Sequence, residues 1–324
     1  MNQKPLVSVY CLAYNHERYI RNTLEGFVNQ VTTFPFEVFV HDDASTDNTS
    51  TIIKEYASKY PDIIKPILQK ENQYSKGIDI AKKFIVPKVR GKYIALCEGD
   101  DYWIDENKLE LQVEFLEEHV EYAACVHNTI KINTKDNTEE LINSMRADSD
   151  ITFEQIISGG GKFYHTSSLV YKTEYFTSEK PEFYYKIPNV GDYPLAIYLA
   201  LNGKIRYLNK VMSVYRFLVP GSWTDRVRRR SLEERTKVYE CKIDMLESVN
   251  KYTEYVYEDV VNNVIWRIKY DIATIRGDYA SIKKISYLSR LHKEQTLDFR
   301  AKVYLKAHLK NIYEIYRKLK LRVT

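Results

Sequence analysis

Four cysteines are spread over 324 residues, at positions 11, 97, 125 and 241, and no two form a CxxC pair. A disulfide framework or a thiolate zinc site is therefore not expected. Cys11, Cys97 and Cys125 lie in apolar, strand-like runs that suit buried, reduced thiols. Long apolar stretches are also missing: the longest, such as Leu195–Leu201, fall far short of the roughly 18 to 20 residues that cross a bilayer. Residues 1–10 lack the basic start, apolar core and small-residue cleavage site of a secretory signal, so a cytoplasmic location is expected. Neither GxxxxGK[ST] nor GxGxxG occurs, which excludes the two common glycine loops that cradle phosphate. No internal repeat or low-complexity tract is seen.

What is present is enough apolar residue, 44%, to bury a real core in one large domain or one domain with an appendage. The net charge of +4 hides an asymmetry. Up to Thr224 there are 25 basic against 30 acidic residues, and beyond it 23 against 14. Such a split suggests an acidic site in the first two thirds and an anionic neighbour for the last.

From Leu6 to Asn128 short β-rich runs alternate with helical ones. Strands are expected at Leu6–Cys11, Phe36–Val40, Ile63–Leu68, Tyr93–Cys97 and Tyr122–Val126, and helices at Glu17–Asn29, Thr46–Tyr60, Ile78–Val86 and Glu106–His119. Ser45, Thr46 and Asp47 are cap candidates for the second helix. Strict alternation implies a mostly parallel sheet covered on both faces, and such sheets bind ligands at the carboxyl ends of their strands. Residues 131–150 read as a hairpin or loop excursion. They are followed by a short helix at Ile151–Ser158, a strand at Ser168–Tyr171, a helix at Asp192–Leu201 and two strands at Lys204–Leu208 and Val211–Arg216. From Asp225 onward the pattern is helical and basic, opening with Arg226, Arg228, Arg229 and Arg230. On a helical projection Leu305, Leu309, Ile312, Tyr316 and Leu319 share one sector, and Lys302, Lys306, Lys310, Arg317 and Lys320 fill the next. Such a basic amphipathic helix suits packing on its own domain, an anionic leaflet or a protein partner.

Three polar clusters fall where strands end: Tyr14 and Asn15; the run from His41 to Asp47; and Glu98, Gly99, Asp100, Asp101, Tyr102, Trp103. The second is also what a helix cap looks like. The third puts four carboxylates (Glu98, Asp100, Asp101 and Asp105) within eight residues, whose mutual repulsion calls for a cation. Hard divalent ions such as Mg²⁺ or Mn²⁺ take one or two carboxylates together with substrate phosphate oxygens, so a metal-bridged nucleotide diphosphate is expected.

The segments Leu6–Asn15, Val40–Thr49 and Gly91–Trp103 resemble the family 2 glycosyltransferases, and the similarity extends to about residue 223. The resemblance implies a GT-A fold, Rossmann-like, with a mostly parallel central sheet flanked by helices, here with a C-terminal helical extension. It implies a transferase domain over 1–223, its nucleotide-sugar half ending near 128 and its acceptor half filling 129–223, and a basic helical region over 224–324. Tyr14, Asp42 and Asp43 match nucleoside-binding positions. Glu98, Gly99 and Asp100 match the DxD motif, with Glu98 in place of its first Asp; Asp100 is the implied metal ligand and Asp101 the acid beside it. Asp192, in Gly191–Leu195, matches the catalytic base, and also suits a helix N-cap with Pro194 in the first turn.

On the acceptor side the resemblance points to Tyr164–Ser168, of which His165 and Thr166 are the candidates, and to Trp103 stacking on a sugar. Arg216, Ser222 and Trp223 match a segment that closes over the donor diphosphate, where Leu218 replaces the histidine often found. The implied activity is inverting, divalent-metal-dependent transfer from a UDP-sugar to a glycan hydroxyl, with Mn²⁺ or Mg²⁺ as cofactor. The acceptor is expected to be lipid-linked, for cell-surface polysaccharide of the capsule or exopolysaccharide type, at the inner face of a membrane that the basic C-terminal helix would touch. Extension of a glycan on a protein is the alternative. From other classes, a nucleotidyltransferase and a non-catalytic nucleotide-sugar-binding module are the rivals. No nucleic-acid partner is expected, and a homo-oligomer is compatible but unspecified.

Overall fold

The structure is a computed structural model that describes residues 4–159, 162–188, 191–278, 280–284, 303–305 and 309. Among these, two compact units separate: one holds the chain up to residue 180 and residues 192–225, the other residues 181–191 and the chain from 226.

The first unit alternates as its sequence pattern dictates: β1 (Val7–Ala13), α1 (Ile20–Val28), β2 (Phe36–Asp42), α2 (Thr49–Lys59), β3 (Ile64–Leu68), β4 (Tyr93–Leu96), β5 (Tyr102–Trp103), α3 (Lys108–Glu118) and β6 (Tyr122–Asn133). It continues with β7 (Glu139–Leu141), β8 (Ser149–Ile151), α4 (Phe153–Gly159), β9 (Val170–Lys172), α5 (Thr173–Thr177), α6 (Asp192–Asn202) and β10 (Lys204–Phe217), and α7 (Trp223–Arg228) follows. Strand order along the sheet is β3-β2-β1-β4-β9-β6-β10-β5. Pairing is parallel from β3 through β4 and between β6 and β10, with β9 antiparallel between these two groups.

Helix α1 presents Ile20, Leu24 and Phe27 to the core at helical spacing; each such burial contributes about 2 kcal/mol. Cys11, Cys97 and Cys125 are buried, unpaired thiols, as expected. Beside β1, Ser8 Oγ donates to the buried Glu37 (2.7 Å), and Arg90 closes an ion pair on the same carboxylate. Gly91 is required there, because a Cβ would stand 2.5 Å from Ser8 N.

Several boundaries differ from the sequence pattern for legible reasons. Helix α2 starts at Thr49, not Thr46: Ser45 and Thr46 bond into neighbouring loops, and of the expected caps Asp47 alone meets the helix, accepting from Thr49 N. Residues 78–86 contain only a π-turn, Ala81–Ile85. The 131–150 excursion is a hairpin in its first part, with β7 folding back on an extended β6. The two strands expected over 204–216 are one, β10, bulged against β6 around Leu208–Ser213.

The second unit contains α8 (Leu232–Tyr252) and α9 (Glu258–Arg276). A capping box, Ser231 with Glu234, opens α8, and Gly277 at φ +67° closes α9. The basic amphipathic helix expected around 302–320 lies outside the described residues, save 303–305 and Leu309. No described helix is long and apolar enough to cross a membrane.

Candidate active site

Because β2 lies on one side of β1 and β4 on the other, the loops leaving the carboxyl ends of these strands diverge and leave a crevice. The three polar clusters meet there. Left-handed backbone at Asn15 (φ 57°) and Ala44 (φ 62°) turns the first two loops toward each other. Asn15 N donates to Ser45 Oγ (2.9 Å), Thr46 N to Asn15 Oδ1 (2.8 Å), His16 N to Thr49 Oγ1 (2.8 Å) and Glu17 N to Asp47 Oδ2 (3.1 Å). These contacts fix the two loops against each other.

The carboxylates of this region divide by what they already hold. Asp42, buried at the end of β2, accepts from Ser45 Oγ, and burial raises its pKa. Asp43 accepts from the amides of Gln73 (2.7 Å) and Tyr74 (3.0 Å) and so ties the crevice wall together. Asp47 accepts from Thr49 N (3.0 Å). Asp101 accepts from Arg216 N (2.8 Å) and faces His165 Nε2 at 3.7 Å; burial and Asp100 raise its pKa. Asp100 differs. Among the described residues nothing donates a hydrogen bond to its carboxylate, and His16 Nε2 stands 3.9 Å from Oδ2. Glu98, next to it, has its pKa pushed up to about 8 by burial, then by Asp100 and Asp192. Asp192 thus lies within electrostatic reach of the acidic loop. It begins α6, is exposed, and accepts from Tyr193 N (2.8 Å).

Among the described residues no three His, Cys, Asp or Glu side chains converge on one point. A closed protein cage for a cation is therefore absent from them, while one carboxylate plus substrate phosphates remains a normal way to hold Mg²⁺ or Mn²⁺. Asp100 fits that role because its oxygens are not spent on the fold.

Other candidates are placed differently from expectation. Trp103 cannot stack on a sugar: it is 3% exposed, donates through Nε1 to Ser167 O (2.9 Å), and packs edge-on against Phe27 and under Lys108 Nζ. His165 stacks on Tyr215, accepts at Nδ1 from Ser167 N, and is held neutral by burial, its pKa down to about 3. Its Nε2 faces Asp101 Oδ2 at 3.7 Å, beyond hydrogen-bond distance. Thr166 lines a small recess with Asp192. The Arg216 guanidinium bonds to Asp100 O (2.8 Å) and Asn22 Oδ1 (2.9 Å) near the rings of Tyr19 and Tyr102, and so braces the acidic loop. Ser222 Oγ accepts from Asp225 N (3.3 Å) and caps α7, which begins at the half-exposed Trp223. Tyr14 is exposed at the crevice mouth.

The sequence pattern misses His16. Its ring is buried against Gly99, where a Cβ would stand 2.8 Å from Nδ1, and burial lowers its pKa against the pull of Asp100. Its only signal is adjacency to Tyr14 and Asn15; the pairing with Gly99, 83 positions on, appears only in three dimensions.

Comparison with known proteins bears on the family and the fold. Residues 8–179 match the model of glycosyl transferase family 2. An uncharacterized Mycobacterium tuberculosis protein is 37% identical over 217 residues, 67% of this chain and 60% of that protein, so the chain spans under two thirds of that relative's length. Hyaluronan synthase of Pasteurella multocida is 30% identical over 212 residues, 65% of this chain and 20% of that enzyme. The structure of S. aureus TarS 1–349 in complex with UDP-GlcNAc superposes with a TM-score of 0.62 at 19% identity, over 93% of this chain and 79% of that one, a likeness of fold.

Proposed function

The chain belongs to glycosyl transferase family 2, and we propose that it transfers a sugar from a UDP-sugar to a glycan hydroxyl with inversion at the anomeric carbon. The transferase domain is proposed to occupy residues 1–223, and 224–324 to be an accessory region. The observation that carries the reading is the uncommitted Asp100 carboxylate in a crevice whose other aspartates are spent on holding its loops. Asp100 would hold a divalent cation, which when bound supplies positive charge against the departing diphosphate. Asp42, with Tyr14 at the mouth, is assigned to the nucleoside, and Asp43 to the wall that shapes its pocket.

Asp192 is assigned as general base. Its carboxylate takes the proton of the acceptor hydroxyl as that oxygen bonds to the anomeric carbon and the bond to the phosphate oxygen breaks on the opposite face. Its exposed place at the start of α6 leaves the carboxylate open to an incoming hydroxyl, as a base must be. Glu98 and Asp101, both protonated more readily than ordinary carboxylates, lower the charge density around Asp100.

UDP release from a panel of UDP-sugars, with Mn²⁺ and with EDTA, tests this directly, because slow donor hydrolysis needs no acceptor. Metal-dependent release from one donor is expected. No release from any donor, together with no UDP binding in Mn²⁺, would reject the reading.

The similarity to hyaluronan synthase supports a polysaccharide acceptor. The basic balance beyond Thr224 supports a lipid-linked one at the inner face of a membrane. Deleting residues 300–324 is expected to reduce co-flotation with anionic liposomes, and an unchanged distribution would remove the membrane contact.

A further inference from the structure

Beside Asp192 the first unit contains a recess of about 10 Å³, room for a single water molecule, lined by Ile156, Phe163, Tyr164, Thr166, Asp192 and Ala196. Ile156 and Ala196 form a buried floor, and Asp192 stands exposed at the rim. Tyr164 Oη is buried and has no hydrogen-bond partner among the described residues. An orphaned buried phenol is destabilising unless something polar meets it. Asp192 is close enough to oppose ionisation of Tyr164, which burial already disfavours, so the phenol remains a donor throughout the working pH range.

We propose that Tyr164 is a positioning residue for Asp192, acting through one water held in this recess. The water accepts from Tyr164 Oη and donates to the Asp192 carboxylate, with the Thr166 hydroxyl as a third polar neighbour. Three polar partners are what a buried water ordinarily has. Tyr193 N fixes one carboxylate oxygen from the helix side (2.8 Å). The bridging water restrains the carboxylate from the opposite element, the segment before β9, so that it meets the acceptor hydroxyl in one orientation. The inference rests on Asp192 being the base.

UDP release from the UDP-sugar that the panel singles out supplies the kinetic test. Tyr164→Phe keeps the ring and removes the hydroxyl; a fall in kcat of about tenfold with donor KM unchanged is expected. Ala196→Val, which fills the recess and leaves both polar groups in place, should act in the same direction. In an Asp192→Asn background Tyr164→Phe should have no further effect. A crystal structure of the wild type should show one water within hydrogen-bond distance of Tyr164 Oη and Asp192, and this requires no turnover.

Wild-type kcat in both Tyr164→Phe and Ala196→Val would overturn the proposal, as would an equal loss from Tyr164→Phe with and without Asp192, or a recess without that water. If Asp192→Asn itself turns over normally, the assignment of the base fails and takes this inference with it. If only Asp192→Asn is impaired, the base stands and Tyr164 is excluded.

Discussion

Asp192→Asn is expected to lower turnover by about 10³-fold, within the range that a positioned general base supplies, while the dissociation constant for UDP stays within about twofold. The substitution is nearly isosteric. Asn Oδ1 can still accept from Tyr193 N, the bond that Asp192 makes at the start of α6, so the helix start survives. What is lost is a group that takes a proton, and with it negative charge near Glu98. UDP-release kinetics and calorimetric binding separate the two effects. Loss of turnover with binding intact is the expected result; equal loss of both would make Asp192 structural.

Asp100→Ala is expected to be as severe, about 10³-fold in turnover, for a different reason. Several kcal/mol of charge stabilisation at the leaving group depend on a cation that this carboxylate holds. Because no described group donates a hydrogen bond to the Asp100 carboxylate, its removal should leave the melting temperature within about 2 °C of wild type. Thermal melts with kinetics on the same preparation check this. A variant that unfolds early would mean the side chain serves the fold; a variant that turns over normally would mean that the cation is held elsewhere or not used.

Much of this arrangement is legible in the sequence because one-dimensional periodicity and strand-end position are local properties. The alternation from Leu6 to Asn128 predicts the strands that deliver Asp42 and Asp100 to one edge, and the structure places them there. What local pattern does not carry is which polar atoms find each other. Ser45 looks like a helix cap and instead fixes Asp42, since α2 begins later. Trp103 lies two residues after the acidic pair, yet β5 turns it inward, where Gly26 leaves room and Ser167 takes its N–H. Arg216 and His165 are far from the acidic loop in sequence, and β10 and the segment before β9 bring them onto Asp100 and Asp101. The bulged continuity of β10 was hidden by the polar pair Asn209 and Lys210, which reads as a break between strands.

The account stands on Asp100 joining the donor through a cation. Calorimetric titration of UDP into the wild-type protein and into Asp100→Ala, each with Mn²⁺ and with EDTA, tests that most directly. The wild type should bind UDP in Mn²⁺ at least about tenfold more tightly than in EDTA, and Asp100→Ala should bind equally weakly in both. A wild type indifferent to Mn²⁺, or an Asp100→Ala variant that keeps the full metal effect, would contradict it.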